Sequence, residues 1–256
     1  RQQMTNVTDK PGAGFTEADL AALVDEVGAA DVVLDPSAME AYRWDWSRFP
    51  GAGMPCAVVR PRDAAQVQAA VRWAARRGIP IVPRGAGTGL AGGSNAVEGG
   101  LTISLDRMAG IEIDPATRTA VVEPGALNAA VKQAAREHGL WYPPDPSSYE
   151  ICSIGGNIAT NAGGLCCVKY GVTTDYVLGL DVVLADGRLI TLGGRRIKDV
   201  AGLSLIKLFV GSEGTLGIVT KVTLRLVPSP PPAATLVATF PTARAAAEAV
   251  VAMGRQ

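Results

Sequence analysis

The sequence contains a single histidine, His138, in 256 residues. A metal centre built on imidazoles therefore has too few ligands within these residues. There are four cysteines, Cys56, Cys152, Cys166 and Cys167, and no CxxC pair. Adjacent Cys166 and Cys167 are poorly placed to bridge each other, so the set reads as the reduced thiols of a cytoplasmic protein rather than a disulfide framework. Aromatic residues make up 5% of the chain, and the formal net charge is zero. The basic residues are dispersed, which argues against a nucleic-acid surface. No apolar run reaches the length of a membrane span, and no apolar region with a small-residue cleavage site marks a secretory signal.

What the sequence has in quantity is glycine, 30 residues of it, within a composition that is 48% apolar. That is enough apolar material for a sizeable core, and the length suits one large domain or two small ones. Glycine is densest over residues 79–100, IPIVPRGAGTGLAGGSNAVEGG. A strand over 79–82 leads into Pro83 and Arg84, followed by Gly85, Ala86, Gly87, Thr88 and Gly89, then Gly92 and Gly93. A flexible linker would be rich in serine and charge. This loop instead lies between two apolar strands and reads as a nest of backbone N–H groups for phosphate, with Arg84 and Thr88 as side-chain helpers. A glycine-rich connection without a ligand is the other reading of the loop taken alone.

Gly87, Gly89 and Gly92 also match GxGxxG after a strand. A Rossmann site needs a helix to start on that loop, because the helix N-terminus holds the pyrophosphate. Here a strand over 101–105 follows too soon for a helix, so the Rossmann reading is rejected.

Taken in order, the polar residues 1–10 precede a helix within 15–30, capped by Thr16 with Asp19 at the third following position. Residues 42–49 (YRWDWSRF) concentrate aromatics and read as a packing anchor at a domain edge. A strand over 57–59 precedes a helix over 64–77, capped by Asp63 and closed by Gly78. Strands over 110–113 and 120–122 flank the turn DPATR. A helix over 125–137 ends at His138 and Gly139. Pro143, Pro144, Asp145 and Pro146 then stiffen the chain. A second small-residue element, SIGGNIATNAGG, spans 153–164. It reads as backbone that can reach a ligand, with polar amides between the glycines; a tight helix–helix contact is the structural alternative. Strands over 177–184 and 189–192 form a hairpin around Ala185-Asp186-Gly187. A short helical segment over 203–209, a third small-residue turn (GSEGTLG, 211–217) and a strand over 218–226 follow. Residues 228–232 (PSPPP) form a stiff boundary. A strand over 235–240 and a helix opened by Pro241 and Thr242 come after it, and a lone strand and helix cannot bury their apolar faces. The expectation is a chain cut early in a second domain.

Three glycine-rich motifs and a fourth element occur here in a fixed order. They are Arg84-Gly85-Ala86-Gly87-Thr88-Gly89, Ser153-Ile154-Gly155-Gly156-Asn157 with Thr160-Asn161-Ala162-Gly163-Gly164, Lys169-Tyr170-Gly171-Val172-Thr173, and Gly211-Ser212-Glu213-Gly214-Thr215-Leu216-Gly217-Ile218-Val219. The set resembles the FAD-binding domain of the vanillyl-alcohol oxidase / PCMH superfamily over roughly residues 55–228. Within that superfamily it is most similar to the glycolate oxidase flavoprotein subunit and D-lactate dehydrogenases.

The resemblance implies an α+β, two-subdomain PCMH-type fold over 54–232, with an N-terminal segment over 1–53 and the start of a truncated α+β cap domain over 233–256. It implies FAD between the subdomains, with Pro83 and the Arg84–Gly89 loop around the pyrophosphate. Pro144, Asp145, Ser153, Gly155, Gly156, Asn157, Thr160, Asn161, Gly163, Gly164, Glu213, Gly217, Ile218 and Val219 would line the rest. Relatives with covalent flavin often carry a histidine where Ala86 and its neighbours stand, so the expected binding is non-covalent despite Cys152 near the second element. Gly202-Leu203-Ser204 stands where relatives have Gly-Tyr-Asp.

The implied activity is a flavin-dependent dehydrogenase or oxidase of a small 2-hydroxy acid such as glycolate or D-lactate, with the catalytic and metal-binding groups expected in the cap. An iron–sulfur electron-transfer partner at the membrane is implied for intact relatives. Two other readings are a reductase resembling the UDP-N-acetylenolpyruvylglucosamine enzyme and a non-catalytic nucleotide-binding module.

Overall fold

A computed structural model describes residues 15–255 apart from Ala201 and Ala233. The polar residues 1–10 lie outside the described range. The first described element, α1 (Glu17–Val27), begins with the expected capping box: Thr16 Oγ1 accepts from the Asp19 N–H while Asp19 Oδ2 accepts from the Thr16 N–H. It is followed by β1 (Val32–Val33), α2 (Pro36–Met39), β2 (Ala57–Val59) and α3 (Ala64–Arg77). The inner face of α3 buries Val67, Ala70, Val71, Trp73 and Ala74. The indole N–H of Trp73 donates to the Asp19 carbonyl at 2.9 Å, which ties α3 to α1.

Helix α3 stops where Gly78 turns left-handed at φ 63°. The Ile79 N–H still reaches back to the Ala74 carbonyl at 3.0 Å. Residues 79–80 are thus spent closing the helix, and β3 (Ile81–Arg84) starts two residues later than the apolar run suggests. Arg84 becomes the last strand residue, with the glycine loop immediately beyond. No helix interrupts that loop before β4 (Leu101–Ser104), in agreement with the rejection of a Rossmann site. In the first sheet the order is β1-β2-β4-β3, and β2, β4 and β3 run parallel.

The second layer starts with the hairpin β5 (Ile111–Asp114) and β6 (Thr119–Val122). Helix α4 (Asn128–Arg136) is shorter than the sequence suggests at its N-terminal side. Residues 125–127 are held by tertiary bonds instead: the Gly125 N–H donates to the Met108 carbonyl at 2.7 Å and the Ile154 N–H to the Ala126 carbonyl at 2.8 Å. Then come β7 (Leu140–Trp141), α5 (Ile154–Thr160), α6 (Cys167–Tyr170), β8 (Val177–Val183), β9 (Leu189–Gly193), α7 (Ile206–Phe209), β10 (Ile218–Arg225), β11 (Val227–Pro228) and α8 (Ala243–Met253). The sheet order is β5-β6-β10-β8-β9, and every pairing is antiparallel.

Two differences from the sequence reading concern the later elements. Only the second half of 203–209 is helical. Residues 235–240 form no strand, because no strand among the described residues lies beside them to take their N–H and C=O groups.

Each sheet builds its own core. The first gathers Leu23, Val67, Trp73, Leu101 and Ile103, and the second gathers Val131, Tyr142, Ile154, Ile158, Val222 and Leu224. Val183 and Ile218 of the second sheet pack into the first core, which locks the layers together. The architecture is the α+β arrangement of two subdomains expected from the sequence.

Candidate functional site: a glycine-lined cleft between the two sheets

A cleft of about 210 Å³ opens where the glycine loop of the first sheet faces α5 and the start of β10 in the second. Its near wall is the run from Pro83 to Gly89. Among the described residues, the backbone N–H groups of Gly87, Thr88, Gly89 and Leu90 have no protein acceptor. Free N–H groups on successive residues form a nest for anionic oxygens.

Glycine is required in this wall for two distinct reasons. Gly87 has φ 72°, and a Cβ there would lie 2.2 Å from Arg84 Nη2. Gly85 has an ordinary backbone, but a Cβ would come within 2.3 Å of Ser153 Oγ. The second contact joins the two halves of the cleft, because Ser153 Oγ also accepts from the Ala86 N–H at 3.1 Å.

Arg84 acts beneath the loop. The residue is 8% exposed, and its guanidinium donates to the Ser94 carbonyl at 3.1 Å and the Trp44 carbonyl at 2.8 Å. Burial lowers its pKa from the ordinary value, and the neighbouring Asp45 opposes that shift. The charge thus lies under the nest, while two of its donors hold the loop's shape.

The aromatic run over 42–49 is part of the same construction. The Trp46 N–H donates to the Gly89 carbonyl at 3.1 Å, and Asp45 lines the cleft. The run is a packing anchor as its composition suggests, but it anchors the glycine loop. No sequence pattern pairs it with a loop 40 residues away.

On the opposite wall, Ser153 caps α5 by accepting from the Gly156 N–H at 3.4 Å. The second small-residue element is therefore a short helix, ended by Asn161 at φ 47°. Gly155 is small for packing: its Cβ would lie 2.8 Å from Pro124 Cβ. Gly155, Gly156, Asn157 and Thr160 line the cleft, as do Glu213, Gly217, Ile218 and Val219.

Five of the sequence-derived site residues lie off this cleft. Pro144 is buried, and its carbonyl accepts from Asn128 Nδ2 at 3.3 Å. Asp145 Oδ1 accepts from the Cys166 N–H at 3.0 Å, and Gly164 is pressed against Asp145, where a Cβ would meet the carbonyl oxygen at 2.0 Å. Asn161 Oδ1 accepts from the Thr174 N–H at 2.9 Å, and Gly163 packs on Cys167. Asp145, Asn161, Gly163 and Gly164 thus fasten the 161–175 loop, while Pro144 is tied to α4. Instead Pro146, Ser148 and Cys152 present the proline-rich stretch to the cleft, and Phe209 adds an apolar surface.

Comparisons with known proteins bear on what the cleft holds. A family model described as "FAD binding domain" matches residues 55–193. The chain is 50% identical over 198 residues to the glycolate oxidase subunit GlcD of Bacillus subtilis (strain 168), covering 77% of this chain and 42% of that protein. It is 41% identical to a D-lactate dehydrogenase of Archaeoglobus fulgidus, covering 91% and 53%, and 41% identical to a D-2-hydroxyglutarate dehydrogenase of Xanthomonas citri pv. viticola, covering 89% and 48%. The chain thus spans about half the length of the curated relatives it matches. Among solved structures, Phl p 4.0202, a glucose dehydrogenase, superposes with a TM-score of 0.71 at 26% identity, covering 84% of this chain and 44% of that one. An alkyldihydroxyacetonephosphate synthase shares the fold with a TM-score of 0.73 at 23% identity, covering 84% and 41%.

Proposed function

This chain belongs to the FAD binding domain family, and we propose that its cleft holds FAD without a covalent link, as the flavin-binding part of a dehydrogenase acting on a small 2-hydroxy acid. The observation that carries the reading is the run of unpaired N–H groups from Gly87 to Leu90. A diphosphate offers the acceptors these donors lack, and the buried Arg84 charge beneath them adds attraction. Phe209, Ile218 and Val219 supply apolar contacts suited to flat ring systems. When bound, FAD supplies the redox chemistry, accepting hydride from the carbon that bears the substrate hydroxyl.

The chain's own residues bind and orient. The glycine wall fixes the phosphates. Ser153 holds the glycine loop to α5, and Thr160, whose hydroxyl donates to the Gly156 carbonyl, keeps an oxygen that can accept from a ligand on the far wall. Cys152 is buried, with Asn157 Nδ2 donating to its sulfur at 3.2 Å. The hydroxy-acid assignment is supported by relatives named for glycolate, D-lactate and D-2-hydroxyglutarate.

The test is to add FAD to the purified chain, remove the excess and record the absorbance spectrum. The expected result is retained flavin bands and full release of the yellow colour into acid supernatant. No retained flavin overturns the FAD reading, and colour left on the acid-precipitated peptide overturns the non-covalent one. Anaerobic bleaching of the bound flavin by D-lactate or glycolate is expected in the whole protein; bleaching by NADPH and not by either hydroxy acid refutes the substrate class.

A further inference from the structure

The proline-rich stretch that lines the cleft poses a hydrogen-bonding problem. Tyr142, Pro143 and Pro144 are all buried. Prolines contribute no N–H, but their carbonyls still need donors when removed from water. Helix α4 supplies them. Lys132 Nζ donates to the Tyr142 carbonyl at 2.5 Å and the Pro143 carbonyl at 3.3 Å. Asn128 Nδ2 donates to the Pro144 carbonyl at 3.3 Å. Asn128 and Lys132 are one turn apart on one face of α4, so a single helix face holds three consecutive carbonyls. The far end of the strap hangs from the same helix through backbone bonds: the Asn128 N–H donates to the Cys152 carbonyl and the Ala129 N–H to the Tyr149 carbonyl, both at 3.0 Å. Pro146 and Ser148 lie between these anchor points and line the cleft. Asn128 Nδ2 also donates to Asn157 Oδ1 at 2.9 Å, which fixes the amide of a cleft residue.

We propose that Asn128 and Lys132 are positioning residues, a clamp on the 142–144 strap that holds the cofactor-facing stretch 146–152 in place. The clamp is independent of what the cleft binds; its effect on cofactor affinity rests on the FAD reading.

A lysine is a costly choice for this position. It is 8% exposed, and among the described residues it forms no salt bridge. An apolar side chain would fill the space without burying charge. What an apolar side chain cannot do is donate to the Tyr142 and Pro143 carbonyls. The groups facing the ammonium are Asp145 on the strap, Arg136 on α4, and the Cys152 and Cys166 thiols, with the rings of Trp141 and Tyr142 each 5.7 Å away. Burial lowers its pKa from 10.5 to about 8, against the pull of Asp145. Because the folded value lies below the unfolded one, the charge opposes folding at neutral pH, and that burden lifts as pH rises above about 8. The neutral amine keeps two N–H donors but loses the charge assistance of its bonds to the strap, so global stability and strap retention respond to pH in opposite directions.

The experiment compares the full chain with K132M, K132R and N128D. Amide hydrogen exchange over 142–152 is measured without ligand, and FAD affinity is measured at pH 7 and pH 9.5. At pH 7 we expect K132M and N128D to exchange in the strap at least tenfold faster than wild type, and K132M to bind FAD at least tenfold more weakly while its melting temperature is unchanged or raised. K132R keeps both the protection and the affinity. The affinity gap between wild type and K132M narrows at pH 9.5, where the wild-type lysine is neutral, whereas K132R holds FAD at both pH values. Strap exchange in K132M within twofold of wild type overturns the clamp. Faster exchange with unchanged FAD affinity overturns its role in the cleft. If the wild type retains no FAD, the FAD reading fails, and the exchange result still decides the clamp.

Discussion

Substituting Gly85 by alanine tests whether the two walls of the cleft are held by the contact seen between them. The Gly85 backbone lies outside the left-handed region, so an alanine there carries no backbone strain. The whole effect comes from the methyl group, which would sit 2.3 Å from Ser153 Oγ; the next nearest atom is the Gly156 nitrogen at 3.4 Å. In G85A the hydroxyl must therefore leave. With it go the cap on α5 and the bond from the Ala86 N–H. Losing the cap costs about 1 kcal/mol, and forcing a methyl into a filled space adds about 1–3 kcal/mol. S153A removes the same cap but opens the space, so it costs about 1 kcal/mol. Independent effects would put G85A/S153A about 3–5 kcal/mol below wild type. The geometry instead predicts that the double variant costs no more than about 1–2 kcal/mol, a favourable coupling of at least ~1 kcal/mol. Urea denaturation of the four proteins measures this coupling directly. Additivity within about 0.5 kcal/mol would show that the Gly85–Ser153 contact does not join the walls.

Two further outcomes follow from titrating groups outside the cleft. The Thr16 backbone N–H and the Arg77 side chain hold the Asp19 carboxylate at a pKa of about 2, below its ordinary 3.8, so the stability it provides is present above pH 4 and is lost as pH falls through 2; the melting-temperature difference between wild type and D19N should shrink steadily below pH 4 and vanish only at about pH 1, and a difference that does not shrink between pH 4 and pH 2 would contradict the assignment. Burial pushes the Cys56 thiol up to about 11, so at pH 8 an alkylating reagent should label Cys167, which is half-buried, well ahead of Cys56 in the native protein; mass spectrometry showing equal labelling would place Cys56 in a more open setting.

The sequence reading succeeded where a residue's own chemistry dictates local structure. Asp63 and Gly78 bracket α3 because a carboxylate caps and a glycine turns left-handed wherever they occur. The capping box at Thr16 and the hairpin around Ala185-Asp186-Gly187 were readable for the same reason. Errors came where tertiary contacts overrode local preference. Residues 125–127 have helical neighbours but are held out of the helix by bonds to Met108 and Ile154, and residues 79–80 are apolar yet belong to the exit from α3. Residues 235–240 read as a strand, but an apolar run alone supplies no neighbouring edge.

The cleft divides along the same line. Its glycine wall is legible because dense glycine between apolar strands has few purposes, and 16 of the 21 residues that the sequence points to line the cleft. Of the five that do not, Asp145, Asn161, Gly163 and Gly164 carry the same small or polar signature but spend it on fastening a loop, and Pro144 is held against α4. Composition cannot separate a glycine that admits a ligand from one that admits a neighbouring carbonyl, as Gly164 does for Asp145. The supporting residues were hidden more deeply. Lys132 and Asn128 look like ordinary polar residues of an amphipathic helix, and Trp44 like an aromatic at an edge. What distinguishes them is the partner: two prolines that leave carbonyls without donors, and a buried arginine that needs acceptors. A proline-rich stretch that becomes buried requires donors from elsewhere in the chain. A buried lysine or asparagine one helix away is then the place to look for them.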